Sequence, residues 1–579
     1  MKVVTKTCDG NFVTLKPMTP MENDMLRLLT TTVTFLWSLN SLATNQEEPV
    51  DISAERLSQI VKVMAADEFE GRAPGTPGED KTVAYLIRQM QAIGLEPGGR
   101  DGQWIQAVPM MRSVVAPRPK MTFLGDNLSL GLEQGASVSV ETPQAIEAIA
   151  VADIPVVFVG FGADAPEQDW DDYGDIDLTG KLAVYLVNDP DFAAGPDEPV
   201  AGRFGNRRMT YYGRWAYKFE EAARRGAFGA LVIHETEAAG YDWSVASAGA
   251  GENVSLGIKD PASLPVTLQG WLHNDAADEL LAAAGHDLDA LRVAARSPDF
   301  KAFELEGIRF AADLKVDITR FDSRNVLGLL PGAERPQEVI MASAHWDAYG
   351  VGAPDDQGRT VRPGANDDAL GSAGILEIAR VLKAGPPLDR SVLFAFWTAE
   401  ESGLVGSRAY TEDPVFPIET TVANFTLDIL QTAGAANDVI LVGKGQSELE
   451  DDMARVAREQ GRYVTEENLP ENGLFYRADH FSMARVGVPV LLIMGIAGGA
   501  DLVDGGREAG NQWIADYVGN CYHKPCDAWS ADWDLTGAVQ DIELIRRIIA
   551  ALANSSRWPE WKAGSEFKAV RAQSAAARK

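Results

Sequence analysis

The sequence of 579 residues has little cysteine, little histidine and a shortage of positive charge. Its 52 lysines and arginines stand against 84 aspartates and glutamates, which gives a net charge of -32. A surface this negative repels nucleic acid and anionic membranes, so neither is expected as a partner. Only three cysteines occur, so a metal site built from thiolates is disfavoured because no further cysteine could complete it.

The three cysteines divide into one early residue and one close pair. Cys8 precedes a segment that matches an export signal, running from Met25 to Ala43, and would be absent from the mature chain. The apolar part of that segment is too short to span a bilayer comfortably, so we expect a periplasmic or secreted protein without stable membrane insertion; a retained apolar helix is the alternative. Cys521 and Cys526 are close enough in NCYHKPCDAW for a disulfide in an oxidising compartment, with two free thiols as the alternative.

The length and the 46% hydrophobic content predict a globular protein of two or more domains. From about residue 315, apolar strands such as SVLFAFW alternate with amphipathic helices such as GSAGILEIARVLK. This alternation predicts an α/β fold with an open, mostly parallel mixed sheet and helices on both faces. The region before it alternates similarly but shows no cluster of convergent polar groups, which indicates a smaller inserted α/β domain that carries shape rather than chemistry. The predicted division is 1–45 for upstream residues and the signal, 46–140 for the N-terminal part of the catalytic domain, 141–305 for the insertion, 306–556 for the catalytic domain and 557–579 for a flexible tail.

Side chains that bind metals or transfer protons follow successive apolar segments in the C-terminal half. His345 ends the strand EVIMASAH, and Asp347, two residues later, can orient its ring. Asp367 and Asp368 lie in the glycine-flanked turn GANDDALGSAG, where capping of the next helix is the ordinary alternative.

Two adjacent glutamates end the apolar segment SVLFAFWTAEE, although neighbouring carboxylates repel each other. Either Glu400 and Glu401 form a solvated loop, or a cation lies nearby and one of them holds it. Asp428 follows VANFTL at another strand end, and His523 lies in a loop before the last long helix. Ligands in open α/β sheets bind beyond the carboxyl ends of the strands, where these side chains would meet. Two histidines with several carboxylates suit zinc or a similar ion, and five candidates suit a pair of ions roughly 3.5–4 Å apart.

The ordered motifs HWD, NDDALGSAG, TAEESGLVGS, LD and YHKPCD resemble the co-catalytic zinc aminopeptidases, a family that includes bacterial leucyl aminopeptidases and glutamate carboxypeptidases. FEGRAPGTPG resembles that family's N-terminal pattern, and the insertion resembles a protease-associated domain, so the resemblance covers nearly all of residues 50–560. It implies a di-zinc exopeptidase with peptide substrates, most directly an aminopeptidase. The alternatives are a glutamate-type carboxypeptidase, a hydrolase of non-peptide amides, a one-zinc glutaminyl-cyclising relative and a receptor-like relative without metals. The complete ligand set argues against the last two.

The resemblance implies a role for each ligand candidate. One zinc ion would be held by His345 and Asp428 and the other by Glu401 and His523, with Asp367 bridging both. The metal content implied is therefore two Zn²⁺ per chain.

The resemblance also implies roles for residues that do not bind metal. Asp347 would support His345, and the peptide bond between Asp367 and Asp368 would be cis. Glu400 would be the general base that takes a proton from water and delivers it to the leaving amine.

The segment FYRADHFSMARVGVP resembles the substrate side of the family. The resemblance implies that Asp479 and His480 shape the pocket and that Tyr476 donates to the oxyanion of the tetrahedral intermediate. A structural role for His480 is equally compatible with the sequence. A glutamate-type carboxypeptidase would need arginines, for which Arg477 and the arginines of FGNRRMTYYGRW are candidates. The sequence makes no prediction of the oligomeric state. The remaining histidines match no motif and are interpreted as surface or packing residues: His234, His273 and His286.

Overall fold

The computed structural model describes residues 50–257 and 265–578. Cys8 and the predicted signal from Met25 to Ala43 lie outside the described residues. The chain from Ile52 onward forms one compact unit. Within the described ranges, no helix is both long enough and apolar enough to cross a membrane.

The described α-helices of six or more residues are numbered in chain order. They are α1 (Ala54–Met64), α2 (Pro77–Ile93), α3 (Trp215–Arg224), α4 (Asn274–Ala283), α5 (Leu288–Ala294), α6 (Gly371–Ala384), α7 (Val405–Glu412), α8 (Leu449–Glu459), α9 (His480–Arg485), α10 (Gly506–Asp516), α11 (Thr536–Ala553) and α12 (Lys568–Gln573).

The described strands of four or more residues are numbered in the same way. They are β1 (Ile105–Val115), β2 (Lys120–Gly125), β3 (Leu128–Leu132), β4 (Val138–Glu141), β5 (Ala148–Gly160), β6 (Leu182–Leu186), β7 (Gly229–Ile233), β8 (Glu252–Leu256), β9 (Leu268–Leu272), β10 (Phe303–Leu330), β11 (Arg335–His345), β12 (Arg390–Trp397), β13 (Thr421–Asp428), β14 (Asp438–Leu441), β15 (Tyr463–Glu466) and β16 (Val490–Met494).

The C-terminal half is built on a sheet in the order β16, β13, β11, β12, β10. The first four strands are mutually parallel, and β10 pairs with β12 in the antiparallel direction. Because β11, β12 and β13 run in the same direction, their carboxyl ends lie along one edge of the sheet. This edge is where His345 and Asp428 end their strands.

Both faces of this sheet are covered, as their apolar side chains require. Ile340 and Ala344 of β11 point into one core, while Val339 and Met341 point into the opposite core, as expected for a strand with period 2. Helices α1, α2, α6 and α11 contribute to the first core, and residues of α7 and α9 contribute to the second. The prediction of a mostly parallel mixed sheet with helices on both faces is confirmed.

The long strand β10 continues from this sheet into a second one. Its first part pairs with β5, and the second sheet continues through β6, β7, β9 and β4. The main apolar core of this second sheet includes residues from Val115 to Val316, so it begins before the predicted boundary at residue 141. Its identification with a protease-associated domain stays a prediction.

The second sheet also contains a buried polar cluster, which the sequence did not reveal. The ammonium of Lys218 in α3 donates to the backbone carbonyls of Phe161, Asn188 and Tyr212. These acceptors come from separate parts of the chain, so their convergence exists only in the folded protein. The cluster ties the segment around Tyr212 to the end of β5.

The C-terminal tail differs from the prediction of a flexible segment. Trp561 is 1% exposed, and its ring nitrogen donates to the carbonyl of Gly487 at 2.8 Å. Phe567 packs against Trp561 with ring centroids 5.0 Å apart. Arg571 is also buried and donates to the carbonyl of Thr421. The tail is ordered although most of its residues are small and polar, because burial of its large aromatic side chains offsets the conformational entropy that ordering costs.

Candidate metal centre

The first group of potential ligands lies where two strands end. His345 is the last residue of β11, and Asp428 is the last residue of β13. Asp367 reaches them from the segment Ala365–Leu370, which leads into α6. One ligand atom from each of the three lies within 4.8 Å of the others, and all three residues are buried.

The second group shares one residue with the first. Asp367, Glu401 and His523 also place one ligand atom each within 4.8 Å of the others. The Nε2 atom of His523 is 3.4 Å from Glu401 Oε2. Glu401 comes from the turn after β12, so the second group combines a strand end with a late loop.

Asp367 presents its two carboxylate oxygens to two different histidines. Its Oδ1 atom is 3.1 Å from Nε2 of His345, and its Oδ2 atom is 3.2 Å from Nε2 of His523. Each oxygen of the Asp367 carboxylate therefore faces a different one of the two ligand groups.

Asp347 organises the backbone beside both groups. Nδ1 of His345 is 3.1 Å from the backbone oxygen of Asp347, so donation from Nδ1 leaves Nε2 free to face Asp367. The Asp347 carboxylate accepts hydrogen bonds from the backbone N–H groups of Glu400 at 3.0 Å and Glu401 at 3.4 Å. Asp347 therefore supports the turn with the two glutamates as well as His345.

Asp368 holds three elements together behind the centre. The peptide bond between Asp367 and Asp368 is cis, as the resemblance implies. The Asp368 carboxylate accepts hydrogen bonds from the backbone N–H groups of His345, Gly371 and Ile429. These groups lie at the end of β11, the start of α6 and just after β13, which fixes the relative positions of the elements.

The electrostatics of the centre suit cations. The pKa of Asp428 is raised to about 7, chiefly by burial, because the lowering effect of the His345 charge only partly offsets burial and the charge of Asp367 adds to the rise. Burial likewise raises the pKa of Glu401 well above its usual range, followed by the charges of Asp367 and Glu400. Oε1 of Glu401 is buried without a hydrogen-bond partner among the described residues. Buried carboxylates in this number are costly unless cations neutralise them, so the donor set fits two divalent ions.

The loop with His523 is fixed by a disulfide and by aromatic rings. Cys521 and Cys526 form a disulfide across it. The His523 ring lies 3.6 Å from the Tyr522 ring and 4.4 Å from the Tyr349 ring, measured between centroids. His523 also adopts a φ of 61°, a left-handed conformation that is uncommon outside glycine. The covalent closure and the ring contacts hold its imidazole towards Asp367.

The structure does not place Tyr476 as predicted. Its hydroxyl donates to Glu566 at 2.7 Å, and its ring packs against Phe481 and Tyr211. The predicted donor role for Tyr476 is therefore wrong, because an acceptor from the C-terminal tail occupies its hydroxyl. The sequence could not reveal this contact, since Glu566 lies 90 positions further along the chain.

The other residues of the predicted substrate segment divide between core and surface. His480 is buried, and its ring packs edge-on against Phe475 at 5.0 Å. Asp479 is buried as well, and burial raises its pKa to about 7. Arg477 is exposed, and its charge lowers the pKa values of Asp428 and Tyr522. Of these three predicted residues, Arg477 is the one that can meet a ligand from solvent.

Three residues beside the centre were not singled out from the sequence. Asp527 accepts hydrogen bonds from the backbone N–H groups of Asn366 at 2.9 Å and Asp367 at 3.1 Å. The Tyr522 ring contacts the His523 ring at a tilt of 36°, and burial followed by the charge of Asp367 raises the pKa of Tyr522 well above the usual value. Arg72 is buried behind the centre. Asp527 and Tyr522 lie inside the motif YHKPCD, and Arg72 lies inside FEGRAPGTPG. These two motifs are therefore the sequence features from which the three residues could have been identified.

The match to a protein-family model covers the part of the chain that contains the centre. Residues 325–545 match the family model described as Peptidase family M28. The chain is 28% identical over 209 residues to Leupeptin-inactivating enzyme 1 of Streptomyces exfoliatus, covering 35% of this chain and 43% of that protein. It is 37% identical over 112 residues to the probable lipoprotein aminopeptidase LpqL of Mycobacterium tuberculosis, covering 19% of this chain and 20% of that protein. The chain thus spans less than half the length of these curated relatives.

One solved structure similar to this fold is the aminopeptidase from Aneurinibacillus sp. strain AM-1. The similarity has a TM-score of 0.44 and 18% sequence identity. It covers 87% of this chain and 94% of that chain.

Proposed function

We propose, from the premise that residues 325–545 form a region of peptidase family M28, that the protein is a di-zinc exopeptidase that removes residues from the N-terminus of peptides. One observation carries the proposal: the two oxygens of Asp367 face His345 and His523 separately, so that two groups of ligands share one carboxylate. Such sharing suits a two-ion centre better than a single tetrahedral site.

The residues that would hold the ions are those of the two groups. His345 and Asp428 would hold one zinc ion, Glu401 and His523 the other, and Asp367 both. When bound, the zinc pair supplies Lewis acidity to the scissile carbonyl and to the attacking water.

Glu400 is the residue that we assign to proton transfer. It belongs to neither ligand group, and its backbone N–H is held by Asp347 at 3.0 Å next to that of Glu401. Its carboxylate accepts the proton of the attacking water and returns it to the leaving amine. Adjacent glutamates thereby divide metal binding and proton transfer between them.

Tyr522 takes the role first predicted for Tyr476. Its ring lies against His523, and its raised pKa keeps the hydroxyl protonated at neutral pH. A protonated hydroxyl beside the ions donates a hydrogen bond to the oxygen that becomes negative in the transition state.

We place the protein outside the cytoplasm. The disulfide between Cys521 and Cys526 is typical of oxidising compartments. The relative LpqL is described as a lipoprotein, which is in line with an envelope or extracellular location.

A second candidate function is an exopeptidase that also recognises a substrate carboxylate, as a glutamate-type carboxypeptidase does. Arg214 is 8% exposed, and burial followed by the charge of Arg477 lowers its pKa to about 10. Among the described residues, neither arginine has a carboxylate within ion-pair distance. Two guanidinium groups without acidic partners, in a chain of net charge -32, favour an anionic group of the substrate.

The test uses one peptide sequence with four combinations of ends: a free or acetylated N-terminus, and a free or amidated C-terminus. An aminopeptidase cleaves both peptides with a free N-terminus, loses activity with a chelator and regains it with zinc. Cleavage of both peptides with a free C-terminus, whether or not the N-terminus is acetylated, would instead indicate a carboxypeptidase. A preference for a free C-terminus that disappears in Arg477→Gln would support the second candidate.

A further inference from the structure

Arg72 is a fully buried cation that the proposed chemistry does not use. Its side chain is 0% exposed, yet it has no carboxylate in ion-pair contact among the described residues. Its guanidinium donates instead to backbone carbonyls of Trp346 at 2.7 Å, Met64 at 3.1 Å, Gly364 at 2.8 Å and Pro363. A planar fork that satisfies four carbonyls at once is a task for arginine, because the compact ammonium of lysine cannot span them.

Two of the carbonyls that accept hydrogen bonds from Arg72 lie next to candidate ligands, one on the loop after β11 and one on the loop before α6. Trp346 lies between His345 and Asp347, and Gly364 lies three residues before Asp367. One guanidinium therefore fixes the loop after β11 relative to the loop before α6. The distance between Nε2 of His345 and Oδ1 of Asp367 depends on this relative position.

The chain holds Arg72 in place with unfavourable backbone conformations. Glu70, Gly71 and Arg72 have consecutive φ values of 53°, 63° and 51°. A Cβ atom on Gly71 would lie 2.5 Å from the carbonyl oxygen of Arg362 and 2.6 Å from that of Gly350. Left-handed conformations in non-glycine residues persist where the surroundings impose them, and they are frequent near functional sites.

The charge of Arg72 also faces the acidic centre. Burial lowers its pKa, and the charges of Asp527, Asp347, Asp368 and Asp367 oppose that effect. Asp527 binds the backbone N–H of Asp367, while Arg72 binds the carbonyl of Gly364. The segment that leads to Asp367 is thus held by an anion on one side and by a cation on the other.

We propose that Arg72 is a positioning residue of the metal centre, which sets the separation of His345 and Asp367 through the carbonyls of Trp346 and Gly364. The inference rests on the proposed zinc site. It predicts that Arg72 determines zinc affinity although it touches neither a metal ligand side chain nor the substrate.

The test compares Arg72→Met and Arg72→Lys with a matched control, Arg571→Met. Arg571 is also a buried arginine that donates to backbone carbonyls, those of Thr421 and Val422, at the opposite end of β13 from Asp428. Zinc affinity is measured by competition with a chromophoric chelator and zinc content by native mass spectrometry. Melting temperatures with and without zinc, and kcat and KM on a free N-terminal peptide, complete the comparison.

The expected result is that Arg72→Met binds zinc about 10-fold to 100-fold more weakly, as for other residues that orient metal ligands. Its kcat should fall more than its KM changes, and Arg72→Lys should not rescue it, because the charge remains but the fork is lost. Arg571→Met should lose melting temperature but keep the wild-type zinc affinity. Gly71→Ala, which displaces the same turn with Arg72 intact, should also weaken zinc binding.

Wild-type zinc affinity in Arg72→Met, or equal weakening in Arg571→Met, would overturn the proposal. If Arg72→Met does not fold, the zinc affinities of Arg72→Lys and Gly71→Ala are measured in the same assay, and wild-type affinity in both would overturn the proposal. A wild-type protein that binds two zinc ions but cleaves no peptide contradicts the proposed function and leaves the affinity comparison decisive. A wild-type protein that binds no zinc overturns both.

Discussion

At the scale of single residues, two neighbouring glutamates differ because of what surrounds them. One carboxylate oxygen of Glu401 lies within 4.8 Å of the potential ligand atoms of Asp367 and His523. Glu400 has the same backbone anchor on Asp347 but belongs to neither ligand group. Under the proposed function, Glu401 would bind metal and Glu400 would transfer the proton, because only Glu401 belongs to a ligand group.

The first prediction compares glutamine variants at these two positions. Glu400→Gln should keep both zinc ions and lower kcat about 10²-fold to 10⁴-fold, because general-base catalysis contributes on that scale. Glu401→Gln should lose zinc from the second group, and added zinc should restore part of its activity. Zinc content and kcat of the two variants, measured side by side, check this. Loss of zinc from Glu400→Gln would contradict the assignment.

The second prediction concerns the buried ring of His480. Burial lowers its pKa from the ordinary 6.5 to about 3, so the folded protein keeps this ring neutral. Between these pH values the unfolded chain binds the proton and the folded one does not, so stability rises with pH and is lost on acidification. The contribution of His480 to the free energy of unfolding changes by about 1.4 kcal/mol per pH unit in this range. The stability that the neutral ring contributes is lost as the pH falls from about 6.5 to about 3.

The variant His480→Phe tests this prediction, because a ring of similar shape remains and the titration disappears. The free energy of unfolding is measured by urea titration between pH 5 and pH 7.5 for both proteins. The wild type should lose stability below pH 6.5 more steeply than the variant. Parallel pH profiles would show that the His480 ring has the same pKa in the folded and the unfolded protein, which contradicts the prediction.

At the scale of elements, the loop from Cys521 to Cys526 is the part of the centre that no strand supports. His523 is held there by the disulfide and by the Tyr522 and Tyr349 rings. The other candidate ligands come from residues at or just after strand ends and from the segment before α6.

The third prediction is that Cys521→Ser with Cys526→Ser weakens zinc binding to the second group more than it lowers global stability. The disulfide closes a short loop, so its effect on the unfolded chain is small, whereas the imidazole of His523 loses a constraint. Zinc dissociation monitored with a chromophoric chelator should show one ion leaving faster. Equal dissociation of both ions would count against it.

The C-terminal tail is an element that the sequence pattern underestimates. Trp561 lies in the core on the face opposite α6 and contacts Phe567, while Glu566 accepts the Tyr476 hydroxyl. The tail thereby braces the segment that contains Arg477.

The fourth prediction is that Trp561→Ala lowers the free energy of unfolding by about 3–5 kcal/mol, the usual cost of removing a buried tryptophan. The lost hydrogen bond leaves the carbonyl of Gly487 unsatisfied, which adds to the effect. Urea unfolding measures it, with Trp558→Ala, a half-buried residue nearby, as the milder control. A change below that of the control would mean that the tail is not packed in solution.

At the scale of the whole molecule, the net charge of -32 and the buried carboxylates act in the same direction. Both destabilise the compact state through repulsion, and cations bound at the proposed centre would relieve the repulsion among the buried carboxylates.

The fifth prediction is that removal of zinc lowers the melting temperature. Zinc at 1,000 times its dissociation constant stabilises a one-site protein by about 4 kcal/mol, and chelation removes that contribution. Differential scanning calorimetry with zinc and with a chelator measures the shift. The double variant Asp367→Asn with His523→Gln serves as control, since its melting temperature should no longer respond to either addition.

The sequence by itself determined the α/β class, the parallel strands of the C-terminal sheet and the order of the motifs that contain the candidate ligands. These follow from local patterns, because apolar strands alternating with amphipathic helices admit few arrangements. The strand-end positions of His345, Glu401 and Asp428, with Asp367 in a turn before a helix and His523 in a late loop, also predicted that these side chains would meet, because parallel strands end at one edge.

The tertiary structure alone decided which contacts form around the centre and in the C-terminal tail. The hydroxyl of Tyr476 meets Glu566, Arg72 meets the carbonyls of Trp346 and Gly364, and the tail is packed rather than free. Each of these contacts joins residues far apart in the chain through directional hydrogen bonds or close packing. No local periodicity encodes such pairings, since they exist only after the loops have taken their positions on the sheet.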